Sequence, residues 1–152
     1  MILHQSNKQC LLYAAAMILD EKPIDLADEM DFIGDKIMWP SATPPANLRG
    51  YHDSEIIDIA LRRGVALVHY TPNPYLRGDT MIQLYEYKKQ MVRFLSVLSD
   101  RRAILRGNPT AVSHAVAWDG SKIFDPSRNV PCRMSEISWS IQYALIAFPI
   151  TG

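Results

Sequence analysis

Four side chains in this sequence have the types and the spacing for nucleophilic chemistry. Cys10 heads an apolar run inside QSNKQCLLYAAAMIL, residues 5–19. Read as a buried helix opening at the cysteine, the run sets the thiol against unpaired backbone N–H groups and the positive end of the helix dipole. Both favour thiolate over thiol, and thiolate is the reactive form. Gln5, just upstream, carries an amide able to donate to a developing oxyanion. Taken alone, a single cysteine in an apolar run is small core filler. The outline of a signal peptide, Lys8 ahead of residues 11–19, fails at Asp20-Glu21-Lys22-Pro23, where small residues should mark cleavage.

The partner for the thiol lies far downstream, in SHAVAWDGSKIFD, residues 113–125. Asp119-Gly120 is a favoured two-residue turn with apolar runs on both sides, the strongest hairpin signal in the chain. That turn pairs Trp118 with Ser121 and Val116 with Ile123, and it sets His114 opposite Asp125. Opposed residues hold their Cβ atoms about 4.5–5.5 Å apart on one face. The Asp125 carboxylate would then accept from one ring nitrogen of His114, fix the tautomer and raise the basicity of the imidazole. The other nitrogen is left for a thiol, the relation of orienter, base and nucleophile that covalent catalysis needs. A one-residue slip would send Asp125 to the other face, and Asp125-Pro126 also has the form of a strand end.

The elements that must position these groups follow in order. A first helix runs from about Gln9 to Asp20, its three consecutive alanines allowing close packing. Pro23 starts a short second helix through Ile24 to Phe32. Residues 34–50, with Pro40, Pro44 and Pro45, form a loop that could line a substrate groove. Asp53 or Ser54 caps a third helix with Ile56, Ile57, Ala60 and Leu61 on its buried face and Gly64 at its end. Residues 65–70 read as a strand carrying a half-buried, structural His69. A further helix lies within residues 80–99, its period clearest from Tyr85. Arg101, Arg102 and Arg106 flank the short strand 103–105; they could touch an acidic substrate, but each reads as an exposed single charge. A closing strand covers residues 143–149. Helices first and strands second imply one α+β domain over residues 1–152, helices packed on an antiparallel sheet.

Composition narrows the function. The chain has 152 residues and a formal net charge of zero, which argues against a nucleic-acid or anionic-membrane surface as its main business. No apolar run is long enough to span a bilayer. The two cysteines are too far apart for a disulfide framework or a zinc site. A Cys10–Cys132 bridge would silence the thiol, and Cys132 reads as buried. There is no glycine-rich phosphate loop, no His-x-x-x-His and no Cys-x-x-Cys.

Together these residues resemble the papain-like cysteine peptidases, most closely the bacterial and viral C39-like branch. Gln5, Cys10 and Met17-Ile18 stand where that group has its glutamine, its nucleophile at the head of a buried helix, and a Met-Ile or Met-Leu pair. His114-Ala115-Val116, Asp119-Gly120 and Asp125-Pro126 match its histidine-led strand, tight turn and closing Asp-Pro. Residue 11 is Leu where many relatives have Gly or Trp, and Gln5 stands one residue nearer the cysteine than usual, with Asn7 and Gln9 as the other nearby amides. The resemblance implies a papain-like fold and a Cys10–His114–Asp125 triad with Gln5 in the oxyanion hole. It further implies a cytoplasmic hydrolase of peptide or isopeptide bonds needing neither metal nor organic cofactor. The same site chemistry serves deamidases and acyltransferases, and the same scaffold serves non-catalytic binding modules.

Overall fold

The computed structural model describes residues 9–30, 51–72, 75–77, 80–82, 87–107 and 114–150. The expected loop at 34–50 and the expected oxyanion donor Gln5 lie outside them.

Helix α1 spans Cys10–Leu19, and Leu11, Leu12, Ala14, Ala15, Ala16, Met17 and Ile18 are all buried. A helix apolar on every side has no solvent face and sits inside the molecule; the alanines let it lie close to the sheet. It stops at Asp20, left-handed at φ +55°. Helix α2, Pro23–Met30, starts on its proline as expected, because the missing N–H would be unbonded there anyway.

Helix α3, Asp53–Arg62, differs from expectation at its start. The cap is His52, whose backbone N–H donates to the Glu55 carboxylate at 3.0 Å. Asp53 therefore sits inside the helix and its side chain is left for another partner. The buried face is Ile56, Ile59 and Ala60; Leu61 is exposed, because the stripe follows i, i+3, i+4 from Ile56. Gly64, at φ +73°, closes the helix as expected.

Strand β1, Val65–Tyr70, runs antiparallel to β7, Ile141–Pro149. His69 on β1 is exposed, not half-buried, and stacks on Tyr143 with ring centroids 4.5 Å apart. Strands β2, Tyr75–Arg77, and β3, Thr80–Ile82, pair as a separate hairpin, so Thr80–Ile82 is not helical. The β-branched Thr80 and Ile82 suit a strand. Helix α4 starts at Tyr87 and ends at Leu98.

Strands β4, Ala103–Gly107, β5, His114–Trp118, and β6, Ile123–Phe124, complete a five-stranded sheet in the order β1-β7-β4-β5-β6, each neighbour antiparallel. The last strand in sequence is thus an interior one: β7 pairs with β1 on one side and β4 on the other. A 3₁₀ turn, Met134–Glu136, precedes it. Among the described residues the protein is α+β, with four α-helices on this antiparallel sheet, and no helix is long and apolar enough to cross a membrane.

Alternation along the strands divides the core. Leu67, Ile104, Ala115, Ala117 and Leu145 meet α1, α2 and α3. Leu105, Val116, Trp118, Ala144 and Ile146 meet Phe94 and Leu98 of α4 on the opposite face. Trp118 anchors that side by donating its indole N–H to the Leu98 carbonyl at 3.0 Å. Two arginines fix the N-terminal helices. Arg102 donates to the Ile18 carbonyl at 2.9 Å and to Asp20 at 2.6 Å, holding the C-terminal end of α1. Arg63, at the end of α3, pairs with Glu21 and Glu29. With its far end clamped, α1 presents its first residue, Cys10, at a fixed place on the sheet.

Candidate active site

The hairpin that carries His114 turns one residue later than the sequence suggests. Ala117 pairs with Phe124 and Trp118 with Ile123, so Gly120-Ser121 occupies the turn and Asp119 faces Lys122. Asp119 causes the shift. Its Oδ1 accepts from the backbone N–H of Ser121 at 2.8 Å and of Lys122 at 2.7 Å. The side chain thereby takes the hydrogen bond that a main-chain carbonyl would otherwise accept. Gly120 follows at φ +109°, a conformation that L side chains rarely adopt.

Moving the turn by one residue moves the pairing by two. Side chains alternate with period two, so Asp125 keeps its face and remains within reach of His114, now as a diagonal neighbour. His114 Nε2 and Asp125 Oδ1 are 2.9 Å apart, with both side chains largely buried. Asp125 also ends the strand, the other expectation for Asp-Pro. Its Oδ1 accepts from the Ser127 N–H at 2.9 Å and the Ser127 hydroxyl at 2.7 Å, and its carbonyl accepts from the Arg128 N–H at 3.0 Å. The turn that stops β6 therefore fixes the carboxylate against the imidazole.

The other face of the ring system meets the thiol. The Cys10 sulfur hydrogen-bonds the His114 side chain and receives the backbone N–H of Ala115. With Nε2 engaged by Asp125, Nδ1 is the nitrogen left for sulfur. Burial alone would push the thiol up; the His114 hydrogen bond and charge, the Ala115 N–H and the Arg106 charge outweigh it, and Cys10 ends below its ordinary value of 9.0. For His114, burial pulls downward, but the bonds and charges of Asp125 and Cys10 prevail and raise it to about 9. Asp125, opposed by burial, is held below the ordinary carboxylate range by His114 and Ser127. These three directions favour a thiolate–imidazolium pair with a carboxylate behind the ring.

Structure thus brings together Cys10, His114 and Asp125. Cys132 is buried, bridged to Ile123 by backbone bonds of 2.8 and 2.9 Å, and burial raises its thiol. Both cysteines are free, so no Cys10–Cys132 bridge silences the site.

Several contributors escape the sequence. Trp139 sets its ring edge-on to His114, centroids 5.9 Å apart. Gly107, opposite His114 across β4 and β5, makes room for it: a Cβ there would stand 2.6 Å from the Trp139 ring and 2.4 Å from the Ser140 carbonyl. Arg106 is largely buried rather than an exposed single charge. Its Nε donates to the Tyr143 hydroxyl at 3.3 Å, and Tyr143 in turn donates to Asp53 Oδ2. Tyr143 is raised, by burial and then by Asp53. The one signal available in the sequence was Arg106 itself, an arginine on the strand next to the histidine-led one. No protein-family model matches the chain, and no curated protein sequence matches it.

Proposed function

We propose that this chain is a cysteine peptidase of the papain-like, C39-like kind, hydrolysing a peptide or isopeptide bond through Cys10, His114 and Asp125. One observation carries the reading: the continuous hydrogen-bonded series from sulfur through imidazole to carboxylate. The order of elements supports it as well, with the nucleophile at the head of a buried helix and the base at the head of a sheet strand.

In this reading the Cys10 thiolate attacks the acyl carbon and the carbonyl electrons move to oxygen. The backbone N–H at the start of α1, with the Gln5 amide, receives that oxyanion. The imidazolium gives its proton to the departing amine, and a thioester remains. The now neutral His114 takes a proton from water, the hydroxide attacks the thioester, and acid and thiolate are released. Asp125 keeps the ring oriented and favours its charged form throughout. Nδ1 serves sulfur and Nε2 serves the carboxylate, the reverse of the assignment in the serine-protease triad. A cytoplasmic setting fits a thiol that must stay reduced.

The test is selective alkylation followed by a peptide-library digest. Iodoacetamide at mildly acidic pH is expected to label Cys10 far faster than Cys132 or a free thiol, and Cys10→Ala to abolish cleavage of any peptide the parent cuts. Labelling no faster than a free thiol, together with a Cys10→Ala variant as active as the parent, would sink the assignment.

A further inference from the structure

Arg106 stands between residues that touch the starts of α1 and α3. On β4 it opposes Ala115 of β5, whose N–H bonds the Cys10 sulfur, and Tyr143 of β7, whose hydroxyl bonds Asp53. Cys10 thus lies across β5 and Asp53 across β7 from Arg106, whose charge helps to lower the Cys10 thiol. Helix α1 begins at Cys10 and α3 at Asp53.

The guanidinium is held without being used up. Its side chain is 12% exposed, and among the described residues its hydrogen bonding runs through Nε, to Tyr143. Asp53 Oδ1 lies 3.5 Å from that same Nε, buried, and accepts no hydrogen bond from a described residue. A plain counter-ion for Asp53 would bring a nitrogen into bonding geometry with this oxygen. Here the fork is turned so that Nη1 and Nη2 bond no described residue. A guanidinium held at Nε, with its fork bonded to no described residue, matches the two oxygens of a carboxylate.

We propose that Arg106 is a specificity-determining residue that binds a carboxylate of the substrate next to the bond Cys10 attacks, either an acidic side chain or a free C-terminus. This rests on the peptidase reading for the identity of the substrate. The contact itself is open to test with small probes on the full chain. Iodoacetate and iodoacetamide differ in a carboxylate against an amide, and both alkylate Cys10. The ratio of their rate constants is expected to be about tenfold higher in the parent than in Arg106→Gln, the loss of one charge-assisted pair, with Arg106→Lys between. Equal ratios in the parent and Arg106→Gln overturn the proposal.

Where Arg106→Gln does not fold, protection of the parent serves instead. N-acetylglutamate is expected to shield Cys10 from iodoacetamide and N-acetylglutamine not to; equal shielding overturns the proposal. Iodoacetamide alone reports on the thiolate and the ratio on Arg106, so failure of the peptidase reading and failure of this inference are read separately. Paired peptides with Glu or Gln beside the cleaved bond, and with free or amidated C-termini, then separate the two sources of carboxylate.

Discussion

At the scale of single residues, the site works by letting each group hold its neighbour in the charged form. Burial opposes all three charges, disfavouring thiolate, imidazolium and carboxylate alike. It is outweighed because sulfur, ring and carboxylate are hydrogen-bonded in sequence. The carboxylate is the part whose removal leaves the thiol and the imidazole in place. Asp125→Asn is therefore expected to lower the His114 titration midpoint from about 9. Imidazole proton NMR measures this directly, and His114→Ala identifies the resonance. Cleavage should suffer less in Asp125→Asn than in His114→Ala. A midpoint unmoved by the substitution would mean that the 2.9 Å contact does not raise the basicity of the ring. The residue types of this site were legible in the sequence because each chemical role admits few side chains. Arg106, Asp53 and Tyr143 were not, since they come from three elements distant in the chain and each alone reads as an ordinary solvated or packed side chain.

At the scale of elements, the hairpin shows what patterning can and cannot specify. Alternation told which face Asp125 occupies, and that face survived the displaced turn because the displacement was even. The turn position does not follow from Asp-Gly alone, which taken as the two central residues places the turn one residue early. Asp119 instead stands one place before the turn and braces it with its carboxylate. Similarly, the period of α4 is clear from Tyr85, while the strand Thr80–Ile82 falls inside the stretch that reads as helical. Contacts across elements left no periodic trace at all, Gly107 beneath Trp139 being the plainest. Gly107→Ala would force its Cβ into the Trp139 ring and the Ser140 carbonyl. Such overpacking typically costs about 1–3 kcal/mol. The expected result is a lower urea midpoint for Gly107→Ala together with slower alkylation of Cys10 at mildly acidic pH, because Trp139 must leave the His114 ring to make space. Loss of stability with the alkylation rate unchanged would show that Trp139 supports the fold and not the site.

At the scale of the whole molecule, the thiol–imidazole pair makes stability depend on pH in a way that a lone histidine would not. His114 has a raised folded value, so by itself it stabilises fully below its ordinary 6.5 and ceases to do so as pH rises through about 9. Cys10 has a lowered folded value, so by itself it stabilises above its ordinary 9.0 and ceases to do so as pH falls through the folded value. Coupled, the two leave a plateau. Once the folded thiol has ionised, and up to about pH 9, the native pair holds one proton, on the imidazole. The unfolded chain above its histidine value of 6.5 also holds one, on the thiol. Proton counts are equal, so this pair gives the unfolding free energy no slope there. Cys10→Ala removes the compensating proton from the unfolded chain. Asp125 still raises His114, so the native variant binds more protons than its unfolded state over the upper part of that window. Stability of Cys10→Ala relative to the parent should thus fall as pH rises from 7 to 9, as read from urea unfolding in that series. Parallel pH profiles for the two proteins would mean that the thiol binds its proton alike in the folded and the unfolded chain, and that its folded value is not lowered.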